Sequence, residues 1–312
     1  MYLLLGLFVG SLLPIQTAFN SKMRGIVQSP FLASLFSFAI GTLFLALIAI
    51  FQGVPLLIAS DVFARTPWWA YLGGLLGMLG LTANILLFPI LGSVQTVILP
   101  ILGQLLMSIL IDHFGLFHTL LRPLSFIRFL GLISLIVGVL LIVFLPSYLQ
   151  QKRQLMKGTK EHAPSKLLWQ LTGIIAGMLM STQVAINGFL GKQLHSSIHA
   201  AFISFSIGTF LVLVVVLSEK SYRKLQLSIL KQAPKYVYLA GFFGASYVFC
   251  NAYLAPLIGT GAVVTLSLVG QIISSLVIDQ FGLLGAIKKP IKFIQVIGII
   301  FLFIGVLGIE LY

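Results

Sequence analysis

"GSLLPIQTAFN" at residues 10–20 and "GMLMSTQVAIN" at residues 177–187 decide how this chain is read. Both stretches are apolar enough to cross a bilayer, and each keeps a glutamine and an asparagine four residues apart: Gln16 with Asn20, and Gln183 with Asn187. The pairs differ by 167 positions, and the same offset holds well beyond them. It lays "SFAIGT" at 37–42 on "SFSIGT" at 204–209, Asn84 on Asn251, Pro89 on Pro256 and Gly92 on Gly259. It also lays "GQ" at 103 on "GQ" at 270, "IDHFG" at 111 on "IDQFG" at 278, Pro123 on Pro290 and Gly138 on Gly305. No gap is needed, and a register held over so much of the chain is an internal duplication.

Hydrophobic residues make up 59% of the sequence and charged residues 8%, against about 25% charged in a soluble domain. This is the composition of an integral membrane protein. Apolar stretches lie near 3–20, 31–51, 68–88, 93–111, 125–145, 167–187, 199–217, 236–256, 260–278 and 292–311. Each is long enough to cross a hydrocarbon core of about 30 Å as a helix. Lipid offers no water to backbone polar groups, so uninterrupted apolar runs must be helices, and the alternation that marks barrel strands is absent. Five spans per copy is an odd number, which turns the second copy upside down. The expected fold is all-α, with ten transmembrane helices as two inverted five-helix repeats, 1–145 and 167–312. A basic linker, 146–166, with Gly158, Pro164 and five basic residues, joins them. Inverted repeats recur in secondary transporters because two like halves in opposite orientations can exchange conformations around a shared site.

The formal charge of +13 is unevenly spread: fifteen of the nineteen Lys and Arg fall in alternate loops, at 22–24, 152–166, 220–235 and 288–292. Only Arg65, Arg122, Arg128 and Lys192 fall on the other side. This imbalance places the basic loops in the cytoplasm and both termini outside. Anionic lipid headgroups, and not nucleic acid, are then the expected partners of the basic loops. Residues 1–20 have no Lys or Arg before the apolar run and no small-x-small cleavage site after it, so they read as the first span. The single cysteine, Cys250, lies in an apolar stretch, which implies neither a disulfide framework nor a metal cluster.

Function has to be sought in the polar residues inside the spans. Gln104 and Ser108 share a helix face with Pro100; Ser267, Gln271 and Ser275 form the matching stripe; Tyr247 stands one turn before Asn251. An amide turned to lipid without a partner costs several kcal/mol. Singly these side chains read as interhelical hydrogen bonds worth about 0.6 to 2 kcal/mol. Taken together, at matching places in both halves, they are expected to line a substrate pathway: Gln16, Asn20, Asn84, Gln104, Gln183, Asn187, Tyr247, Asn251 and Gln271. One cluster would belong to each mouth, with Gln104 and Gln271 at mid-depth.

No Asp, Glu, Lys or Arg falls near the centre of a span, so a central carboxylate for proton coupling or for cations is not expected. Asp112 and Asp279 close the fourth span of each half, either as turn residues or as gate or coupling sites. Glycine pairs Gly6/Gly10, Gly73/Gly77 and Gly173/Gly177 allow close helix approach. Pro89-x-x-Gly92 and Pro256-x-x-Gly259 are expected to form tight hairpins. Trp68, Trp69 and Trp169 begin spans, as headgroup anchors do. No convergent nucleophile, metal set, phosphate loop or Gly-x-Ser-x-Gly elbow occurs, so neither catalysis nor a cofactor is expected.

The set Gln-x-x-x-Asn, Ser-Phe-x-x-Gly-Thr, Gly-Gln and Asp-x-Phe-Gly, present in both halves, resembles the YdcZ-like branch of the drug/metabolite transporter superfamily. Members of that branch commonly look like one five-helix half, and this chain looks like two fused. The resemblance implies a ten-helix small-molecule permease in a prokaryotic type of inner membrane, while ten-helix relatives elsewhere in the superfamily generally keep both termini in the cytoplasm. Alternating access around a central polar cavity is the expected mechanism. The rival is a channel-like or lipid-translocating scaffold. A monomer or weak dimer is expected.

Overall fold

The computed structural model describes residues 2–145, 148–149, 167–225, 230, 233–285 and 291–310, and the expected linker lies outside them apart from 148–149. In chain order the helices are α1 (Tyr2–Val27), α2 (Pro30–Phe51), α3 (Ser60–Arg65), α4 (Gly73–Phe114) and α5 (Phe126–Val139). They continue with α6 (Leu167–Gln193), α7 (Ser197–Ser218), α8 (Ala240–Ile258), α9 (Thr260–Phe281) and α10 (Phe293–Glu310). By length and apolar composition α1, α2, α6, α7, α9 and the stretch Lys235–Ile258 are able to cross a membrane. Shorter apolar helices cover Gly73–Leu87, Leu99–Phe114, Phe126–Ile142 and Phe293–Ile309.

Local chemistry repeats between the halves. The Ser29 hydroxyl accepts from the Leu32 N–H at 3.3 Å to cap α2, and its twin Ser196 accepts from His199 N–H at 3.2 Å to cap α7. Gly115 (φ 61) and Gly282 (φ 63) end α4 and α9 in the left-handed conformation. One residue, Gly259 (φ 87, ψ 153), separates α8 from α9 in a conformation open essentially to glycine alone.

The first half differs from expectation at this point, because α4 is hydrogen-bonded as a single helix of 42 residues through Pro89 and Gly92. A methyl group at Gly173 would nevertheless meet both Leu87 and Leu99, which a straight helix holds about 18 Å apart. The chain therefore doubles back between those two residues. A sharp bend within one helical run stands where a separate hairpin loop was expected.

Packing interleaves the halves. α1 lies against α8 and α9, α6 against both arms of α4, α2 against α7, and α5 against α10. A methyl at Gly10 would collide with the Ser267 carbonyl, and one at its twin Gly177 with the Pro100 carbonyl. These bare backbones give the close approach that dispersion needs when lipid competes equally for apolar side chains. Residues 167 apart also meet one another: Thr42 with Thr209 (hydroxyls 2.8 Å), Phe38 with Phe205 (ring centroids 5.1 Å), and Ser134 Oγ donating to Phe301 O (2.8 Å). Along α5 and α10, Gly131 meets Gly305, Gly138 meets Gly298, and Gln295 Nε2 donates to Ile142 O at 3.1 Å. As one helix ascends the other descends, so these equivalent helices are antiparallel.

Candidate functional site

The paired amides sit in two equivalent nests. Gln16 Nε2 and Asn20 Nδ2 donate to Ser37 Oγ at 3.5 and 3.4 Å, and Gln16 presses on Gly244, where a methyl would displace it. In the second half Gln183 and Asn187 press on Gly77 and Gly73 in the same way, with Ser204 in the place of Ser37. The Gly73/Gly77 pair therefore makes room for amides, beyond letting backbones approach. A third group joins α8 to α9: Ser267 Oγ donates to Asn251 Oδ1 at 3.3 Å, with buried Tyr247 one turn before Asn251. Asn84 Nδ2 donates to Met180 Sδ at 3.7 Å, and Gln104 is buried on the second arm of α4.

The Gln16/Asn20 pair thus bridges α1 to α2 through Ser37. Other amides are left with unmet capacity. Among the described residues, Asn84 Oδ1, Asn187 Oδ1, Asn251 Nδ2 and Gln271 Nε2 are buried atoms without a hydrogen-bond partner. Each such group costs about 1 to 3 kcal/mol, and buried polar groups left unmatched in a folded protein ask for an explanation.

The second feature lies at the end of α4. Asp112 is 1% exposed and its Oδ2 accepts from the Gly261 N–H at 2.8 Å, at the first turn of α9 in the other half. A methyl at Gly259 would stand 3.3 Å from both Asp112 Oδ2 and Arg122 Nε. The Arg122 N–H donates to Asp112 O at 2.8 Å, and the buried Arg128 donates through Nη1 to Arg122 O at 2.8 Å and to Pro123 O at 3.3 Å. Asp112 follows the apolar stretch 93–111. Burial pushes its carboxyl up to about 6, against the opposing pull of the Gly261 N–H, the Arg128 and Arg122 guanidinium groups and the Thr260 N–H. Sequence reasoning singled out Asp112 and missed its partners. The signal that marks them is that Arg122 and Arg128 are two of the four cations on the wrong side of the charge bias. The Asp279 side chain lies outside the described residues.

A cavity of about 550 Å³ opens near this end of the bundle, lined by Arg65, Pro67, His118, Phe189, Lys192 and Gln193. None of the nine expected pathway residues lines it. Trp69, expected as a headgroup anchor, packs on Phe189 (4.7 Å) and Phe117 (5.5 Å), while Trp68 stays 75% exposed.

An all-helical bundle of apolar spans, built from two interleaved like halves with amides buried between them, belongs to the class of membrane transport proteins. The chain is a member of the DMT_YdcZ family, described as "Putative inner membrane exporter, YdcZ", whose family model matches residues 1–141 and again residues 168–308. A solved structure described only as "Crystal structure of protein" shares the fold over 97% of this chain and 96% of its own, with a TM-score of 0.60 and 14% sequence identity. No curated protein matches the sequence.

Proposed function

We propose that this chain is a permease for small polar or amphipathic molecules, whose ten spans form two five-helix halves inverted across the membrane and opening alternately to either side. The observation that carries the reading is the pairing of equivalents in opposite senses: residues 167 apart touch at Thr42/Thr209 and Ser134/Phe301, and α5 runs antiparallel to α10. A two-fold relation of this kind lets each half adopt the other's conformation, which is the geometric requirement for alternating access.

In this conformation the Asp112 contact with α9 seals one end, which the Lys/Arg bias makes the outer one. The termini are then outside as well. Asp279 holds the twin position in the sequence. Opening lets water or substrate reach the unmatched amides, above all Asn251 Nδ2 and Gln271 Nε2, which offer donors to a carbonyl or carboxylate. Without a central charge the route suits neutral, zwitterionic or weakly charged solutes.

Ligands found by thermal shift in detergent are the substrates for the test, which is counterflow in proteoliposomes. Substrate loaded on the far side should accelerate uptake, as a carrier that reorients with its cargo requires. Flux indifferent to the far side would leave the channel reading and end this one.

A further inference from the structure

Of nineteen basic residues, Arg65, Arg122, Arg128 and Lys192 alone lie opposite the basic loops. A cation there works against the bias that orients the chain, so each asks for a local reason. Arg122 and Arg128 have theirs in Asp112. Arg65 and Lys192 instead converge on the cavity of about 550 Å³, together with His118 and Gln193, and among the described residues no acidic one lines it. Helix ends account for each cation singly, since Lys192 stands in the last turn of α6 and Arg65 in that of α3. They do not account for two cations meeting at one cavity with an aromatic wall.

Two ring contacts build that wall. The His118 ring stacks on Phe189 at 5.2 Å and 27°, and Phe189 in turn packs on Trp69. His118 (φ 56) holds the left-handed conformation, which side-chain-bearing residues adopt at a cost, while the left-handed Phe117 (φ 57) is matched by its twin Leu284 (φ 58). At the twin positions in the other half stand Gly285 for His118, Gly25 for Lys192, Lys22 for Phe189 and Gln232 for Arg65. Phe189 is a buried core residue as well as part of this lining, whereas the exposed Arg65, His118 and Lys192 have no matching side chain of their type in the other half.

We propose that this cavity binds an organic anion of metabolite size, its carboxylate or phosphate between Arg65 and Lys192 and its apolar body against Phe189 and His118. The cavity is an open cleft at the surface, where Arg65, His118, Lys192 and Gln193 are all exposed. The Arg65 guanidinium offers a fork of donors to a planar or tetrahedral anion, and Lys192 a second charge. A free metabolite and an anionic lipid headgroup present the same chemistry.

The test is calorimetric titration of the full-length protein in phosphatidylcholine nanodiscs with phenyl phosphate and benzoate, with benzamide as the uncharged control. Saturable binding of at least one anion, and none of benzamide, is expected. Affinity should fall about 10-fold or more in R65Q/K192Q, survive in the charge-preserving R65K/K192R, and be unchanged in R223Q on the opposite basic loop. Binding of neither anion, or equal binding by the native protein and R65Q/K192Q, overturns the proposal. Repeating the titration with phosphatidylglycerol in the nanodisc separates the sources: binding lost there assigns the site to a lipid headgroup, and binding kept assigns it to a soluble anion. The readout is binding rather than flux, so this proposal and the transport reading fail on different results.

Discussion

Asp112 accepts a helix-start N–H from the other half while almost wholly withdrawn from water, and that combination makes it sensitive to pH. Its neighbours in charge are Arg122 in the following loop and Arg128 on α5, while adjacent His113 is turned away, its Nδ1 accepting from the Leu124 N–H at 3.1 Å. Burial outweighs the two arginines, so the carboxyl holds its proton up to about 6 rather than the ordinary 3.8. The folded form thus binds the proton more tightly than the unfolded chain. The stabilisation from this is complete below about pH 4 and lost as pH rises through about 6, by about 3 kcal/mol at full extent. The melting temperature of the native protein should therefore fall relative to D112N between those pH values, and parallel profiles would refute the assignment. Unmatched amides predict a different trade. Replacing Gln271 by Leu removes a buried donor that costs about 1 to 3 kcal/mol, so Q271L should melt at or above the native temperature while counterflow drops. Gln16 donates to Ser37, and Q16L should instead melt lower, by the equivalent of about 1 kcal/mol.

Helices in this bundle meet through bare backbone, and element-scale predictions follow from where that happens. A side chain at Gly10 strikes the Ser267 carbonyl, backbone that cannot swing aside. G10L should lose at least the roughly 1 to 3 kcal/mol typical of overpacking, read as loss of monodisperse protein on extraction. The α5–α10 pair allows a sharper test, because Ile127 O lies beside Gly308 and Ile142 O accepts from Gln295. Cysteine pairs I127C/G308C and I142C/Q295C should cross-link on mild oxidation, whereas I127C/Q295C should not, since about 20 Å of helix separates those ends. The apolar helices and the duplication were legible in the sequence, the first from local composition and the second from one offset held along the chain. The bend in α4 was not legible: Pro89 and Gly92 fit a hairpin loop as well as a bent helix, both of which bring Leu87 and Leu99 to Gly173, and only the unbroken helical run distinguishes them. Nor could a sequence show that Gly73 and Gly77 shelter amides, because the amides arrive from the other half.

At the scale of the whole molecule, what remained hidden in the sequence is what the two halves do to each other. The Asp112 contact crosses between halves, and the lining of the cavity gathers Arg65, His118 and Lys192 from three separate connections. Yet the charge count held a usable trace of both, because the four cations against the bias divide between these two places. The same bias makes the last prediction. The proposed five spans per half would put residue 121, after the fourth span, and residue 223, after the seventh, on opposite faces of the membrane, with 121 outside by the Lys/Arg distribution. Leu121 is 65% exposed and Arg223 is exposed as well, so either position can report its side. With Cys250 replaced by Ala, L121C should react with a membrane-impermeant maleimide on intact cells, and R223C only after permeabilisation. The reverse pattern would keep the inversion and turn the whole molecule over, termini inward. Labelling of both from the same face would remove the inversion itself, and with it the two-fold exchange of conformations on which the transport reading depends.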